Sequence, residues 1–141
     1  MTAPAVDLDR VDYDEAFTFD TTVARSPESW ARLILEGAPL SKRLQMIGVW
    51  TALGIRLARP GSPAAVLGWP ILRNDPDAIV LGVRAAAGLA ARLTIQVEEG
   101  RVTQSMVVRY ENRLGRGVWT RLAPGHHRFV ESLVAHASTI R

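Results

Sequence analysis

The feature that most limits the fold of this chain is its last long stretch, Leu114 to Ala137. At about 100° per residue, Gly115, Val118, Trp119, Leu122, His126, Phe129, Leu133 and Ala137 share one side of a helix. Arg121, Arg128 and Glu131 fall elsewhere. An apolar stripe this long exceeds the usual three or four turns of a globular helix. It therefore needs a broad apolar surface to cover it. The sequence places a set of strand-like runs directly before it, between Val66 and Tyr110.

These runs are short and separated by turn residues. Val66 to Arg73 contains Pro70, which removes a ladder donor and predicts an edge or a bulge. Asn74-Asp75-Pro76-Asp77 is a turn. Ala78 to Arg84 alternates Ile79, Leu81 and Val83 with Val80, Gly82 and Arg84. Gly88 precedes a third run, Ala91 to Glu98, and Glu99-Gly100 signals a hairpin into Arg101 to Tyr110. In that last run Val102, Met106, Val108 and Tyr110 share a face that Gln104 interrupts. Arg109 falls on the opposite, surface face. Connections this short make an antiparallel meander and leave no room for the crossovers of a parallel sheet.

Upstream, Val11 to Thr22 reads as a first strand, with Phe17, Phe19 and Thr21 on one side. Ser26-Pro27-Glu28 starts a short helix through a hydroxyl cap, a first-position proline and an early carboxylate. Trp30, Leu33 and Ile34 give it an apolar stripe, and Gly37 ends it. A second helical stretch runs from about Leu40 to Leu57, before the Arg59-Pro60-Gly61-Ser62-Pro63 breaker. The expected fold is α+β, with an antiparallel sheet of five strands wrapped round a long C-terminal helix.

The 141 residues fit one domain, residues 11–141, preceded by an acidic tail, residues 1–10. Asp7, Asp9, Asp12 and Asp14 alternate in that region, but no glycine or bidentate Glu completes a calcium loop. The chain has no cysteine, which excludes disulfides and thiolate chemistry. The first residues lack the basic and apolar regions of a signal peptide, and no apolar run reaches membrane-span length. A cytoplasmic protein is expected. The net charge of +3 is carried by scattered arginines and one lysine, Lys42, so no nucleic-acid footprint is expected.

Three stretches carry a family likeness: VLGWPILRNDPDAIVL, VVRYENRLGRGVWTRLAP, and Pro124-Gly125-His126 with Arg128. With the order strand, two helices, meander and long helix, the chain resembles the START-like, or SRPBCC, helix-grip superfamily. Within it, the chain is similar to small actinobacterial proteins of the DUF2867 type, a family without an assigned activity. The resemblance implies a cavity between sheet and C-terminal helix that holds an apolar small molecule such as a lipid, sterol or polyketide. It implies no cofactor. A full helix-grip domain has six or seven strands, so five imply a small pocket or a sheet completed by a partner.

His126 is the sharpest candidate residue, since it brings a polar group with a near-neutral pKa to an apolar stripe. It orients a ligand, or serves as general acid or base, or is a core histidine bonded to a carbonyl or a buried acid. His127 falls off the stripe and is expected in solvent, and the three histidines do not converge on a metal. Met46, Trp50, Trp69, Met106, Trp119, Leu122 and His126 are the expected lining of the cavity. Gly115-Arg116-Gly117 lacks the context of a phosphate loop and reads as a strand-to-helix turn. The favoured function is non-catalytic binding of an apolar small molecule. The alternatives are a cyclase or dehydratase that uses His126, which needs a second titratable group facing it, and a homodimer built on an exposed sheet edge. No such second group is evident on the inner faces.

Overall fold

The meander forms because each strand hides one alternate set of side chains from water, and its partner strands hide the same set. The computed structural model describes residues 10–59 and 61–140. In chain order these hold β1 (Tyr13–Asp20), α1 (Pro27–Leu35), α2 (Leu40–Ala52), β2 (Ala65–Val66), β3 (Trp69–Asn74), β4 (Ala78–Ala85), β5 (Leu89–Glu98), β6 (Arg101–Tyr110) and α3 (Arg113–Ser138). Of the expected tail, residues 1–10, the first nine lie outside the described residues, Asp7 and Asp9 among them. Arg10 is tied down, with its guanidinium donating to the Tyr110 carbonyl at 2.6 Å.

The sheet has the order β1-β6-β5-β4-β3-β2, and every neighbouring pair is antiparallel. The first strand thus lies against the last, and the chain between them folds α1 and α2 over the inner face. Register sets side chains in rows across that face. One row runs Glu15, Met106, Leu93, Leu81, and the next runs Tyr13, Val108, Ala91, Val83. The long helix α3 lies on these rows with Trp119, Leu133 and Ala137 buried in the common core. This is a helix-grip arrangement. Burying one large apolar side chain of this kind contributes roughly 1.5–3 kcal/mol, so the stripe is the main tie between helix and sheet.

Local rules explain the ends of the elements. The Ser26 hydroxyl accepts from the Ser29 N–H at 3.1 Å, with Pro27 as the first residue of α1. The Asn112 side chain accepts from the Gly115 N–H at 2.8 Å and caps α3. The helix continues through Pro124, which has no N–H for the Thr120 carbonyl one turn back.

Three expectations are corrected. Val66 to Arg73 is not one run. Leu67 and Gly68 take φ of 45° and 89°, a two-residue reversal that splits it into β2 and β3. Both central residues have positive φ, as the favoured hairpin turns require, but leucine is a poor residue for that conformation. The Glu36 carboxylate accepts from the Leu67 N–H at 2.9 Å and helps to hold it. The described strands therefore number six, not five, and Pro70 sits next to the edge strand, with a register shift between Ile71 and Arg73. Finally, α2 stops at Ala52 rather than Leu57, because Gly54 turns the chain at φ of 80°, with the Gly54 and Ile55 N–H groups donating to the Thr51 and Trp50 carbonyls, and Ile55 then bridges to Ala85 at the end of β4.

Candidate functional site

A cavity of about 300 Å³ lies between the inner face of the sheet, α2 and the middle of α3. Every residue that the sequence marked for the lining reaches it: Met46, Trp50, Trp69, Met106, Trp119, Leu122 and His126. Its walls come from the register rows. Alternate residues of β5, Leu89, Ala91 and Leu93, line it beside Met106 and Val108 of β6. Trp50 and Trp69 meet edge to face, with centroids 5.5 Å apart. Among its lining residues Gln45, Val49 and Gly125 are exposed. These place the mouth between α2 and the Pro124-Gly125 segment of α3.

The helix α2 covers this cavity with little support. Met46 is its buried residue, while Leu40, Leu44, Ile47 and Val49 remain exposed. Lys42 links it to α3, donating to the Ser132 hydroxyl at 2.9 Å and lying 5.0 Å from the Phe129 ring centroid.

The polar end of the cavity was only half visible in the sequence. Glu15 on β1 points inward beside Met106, and only 3% of its side chain is exposed. His126 Nδ1 lies 2.9 Å from Glu15 Oε1. The approach is close but lacks the alignment of a hydrogen bond. Glu15 Oε2 faces His127 Nδ1 at 3.2 Å and accepts from the Tyr13 hydroxyl at 3.3 Å. One carboxylate thus lies against two consecutive histidines of α3, hydrogen-bonded to His127 and in close approach to His126. Ring contacts fix the imidazoles. His126 stands edge to face on Trp119 at 4.9 Å, and His127 lies 4.8 Å from Phe17.

Two expectations change here. His127 is half-exposed, but it is turned to Glu15 rather than released into solvent. Adjacent helical residues are only about 100° apart, so a carboxylate between them reaches both. The second titratable group that the inner faces were not expected to supply is Glu15. Alternation carried the signal, since Tyr13, Glu15, Phe17 and Phe19 are every second residue of β1. Gln104, read as an interruption of β6, lines the cavity. It is 3% exposed, and its Oε1 has no hydrogen-bond partner.

Tyr13 responds to this setting. Burial, and then the charge and hydrogen bond of Glu15, push its phenol up to about 12. Arg109 stays on the outer face and pairs with Glu111 at 2.9 Å. Among the described residues no group of three or more His, Asp or Glu is arranged to hold a metal, and no helix is long and apolar enough to cross a membrane.

No protein-family model matches the chain, and no curated protein matches it. Among solved structures, the hypothetical protein jhp0584 from Helicobacter pylori superposes with a TM-score of 0.52 at 11% identity, covering 97% of this chain and 98% of that one. The Mll3558 protein from Rhizobium loti gives a TM-score of 0.40 at 16% identity, covering 91% and 98%. The first likeness supports the fold over nearly the whole length and says nothing of activity.

Proposed function

We propose that this protein is a START-like small-molecule binding protein that holds one compact, mainly apolar ligand between the sheet and α3. The observation that carries this reading is the cavity itself. It has a volume of about 300 Å³, aromatic and aliphatic walls and a few convergent polar groups at one end, as small-molecule sites do. That volume is at the lower end of the range for such sites. It favours a compact ring system over a long lipid chain. The ligand enters between α2 and α3, where the cover is thinnest, and the indoles of Trp50, Trp69 and Trp119 supply flat apolar contact.

A ligand that binds only the native state stabilises it by about 2.7 kcal/mol at a hundred times its dissociation constant. Thermal unfolding measured across a panel of one- to three-ring compounds tests the reading. At least one member should raise Tm by on the order of 10 °C, and Ala91→Phe, which fills the cavity from β5, should abolish the rise. A flat panel, or a rise that Ala91→Phe leaves intact, would overturn it.

A second reading is favoured by the Glu15–His126 contact of 2.9 Å. A carboxylate beside an imidazole at the end of an apolar cavity is an acid–base pair, with Glu15 orienting the ring and His126 exchanging a proton with the ligand. This is the cyclase or dehydratase alternative, and turnover of a bound ligand that Glu15→Gln removes even when the ligand saturates the cavity would distinguish it from simple binding.

A further inference from the structure

We infer that the cavity selects a ring system bearing a hydroxyl or amino hydrogen-bond donor and rejects the matching carboxylate. This rests on the binding function proposed above and narrows it. The polar atoms inside the cavity set the preference. Glu15 and Gln104 are its two deeply buried polar side chains. Gln104 Oε1 has no partner, and Glu15 Oε1 has only the poorly aligned approach of His126. Both atoms are acceptors, and a buried acceptor without a donor is costly. A ligand O–H or N–H relieves that cost, whereas a bare hydrocarbon leaves it in place.

Charge makes the selection sharper. No Arg or Lys is among the described residues that line the cavity. The nearest candidates for positive charge, His126 and His127, already face the same carboxylate on Glu15. A ligand carboxylate would enter beside a buried carboxylate with no cation to meet it, which is unfavourable through both repulsion and lost hydration. A neutral hydroxyl or amine meets neither obstacle. An amine that protonates gains the Glu15 charge and the faces of three tryptophans.

The test is calorimetric titration at neutral pH with four probes that share one ring system: naphthalene, 1-naphthol, 1-naphthylamine and 1-naphthoate. The expected order is naphthol and naphthylamine tightest, naphthalene weaker, and naphthoate about 100-fold below naphthol. Glu15→Gln should bring naphthoate to within about 10-fold of naphthol. Should Glu15→Gln fail to fold by circular dichroism, Gln104→Met serves instead. It removes the orphaned acceptor at similar length, and should weaken naphthol relative to naphthalene. Naphthoate binding as tightly as naphthol, or naphthalene as tightly as both donors, would leave the cavity as a binding site and overturn the selectivity. If no probe binds, the binding function and the selectivity fall together.

Discussion

Glu15 is the residue on which the polar end of the cavity turns. Its carboxylate joins β1 to α3 through His126 and His127 and takes a hydrogen bond from Tyr13. Tyr13 records the effect in a measurable way. In the unfolded chain its phenol ionises near 10.0, and in the folded protein near 12. The native state therefore holds the proton that the unfolded state has lost. Tyr13's contribution is complete below pH 10 and is lost as pH rises toward 12. Ultraviolet titration should show a phenol ionising near 12, and Tyr13→Phe should move the alkaline unfolding midpoint upward. A Tyr13 that titrates at its ordinary value would remove the buried, negatively charged surroundings described above. The sequence made His126 legible, because a histidine on a long apolar stripe stands out. Glu15 did not stand out because it sits in an acid-rich run with Asp12 and Asp14, where one more carboxylate looks like surface. Its alternation with Phe17 and Phe19 put it on the inner face all the same, and the pairing of β1 with β6 sets that face against α3.

Among the elements, α3 is the one whose placement is most sharply fixed. Its first turn presses on the β4–β5 reversal, and a Cβ on Gly115 would overlap the Gly88 carbonyl. Gly117, two residues on, is exposed, and a Cβ added there meets nothing within 4 Å. Two alanine substitutions two residues apart should therefore have opposite signs. Gly115→Ala should destabilise by about 1–3 kcal/mol through forced displacement of the helix. Gly117→Ala should stabilise by roughly 0.8–1 kcal/mol through helix propensity alone. Urea unfolding of both variants checks this, and equal effects would mean that α3 does not dock as closely as described. The elements themselves were legible wherever periodicity was long. The stripe of α3 and the alternation in β4, β5 and β6 placed those elements to within two residues of their observed ends. The β2–β3 reversal was not legible, because Leu67 stands where a hairpin turn ordinarily has Asn or Gly. The end of α2 was written in the sequence at Gly54, the glycine that a helix C-cap takes at positive φ, although the apolar residues Ile55 and Leu57 beyond it extend the helical pattern.

On the scale of the whole molecule, the sheet and α3 form a firm frame, and α2 is a lightly held cover. The frame follows from the antiparallel rows that unite β1 with β6 and from the stripe of α3. The cavity follows from the same geometry, since the indoles and thioethers at its edge leave a space in the middle that none of them fills. The lining was legible from the stripe and the strand alternation together, and all seven marked residues converge on it. Its volume, its mouth and its buried acceptors were not, because these depend on how far apart sheet and helix stand. The most direct test of the account is a crystal structure of the protein soaked with bromobenzene, a compact apolar probe with no hydrogen-bonding group. An anomalous bromine peak is expected inside the cavity, between α3 and strands β5 and β6, and no such peak in Ala91→Phe. A cavity collapsed onto itself, or bromine found only on the outer surface, would contradict it.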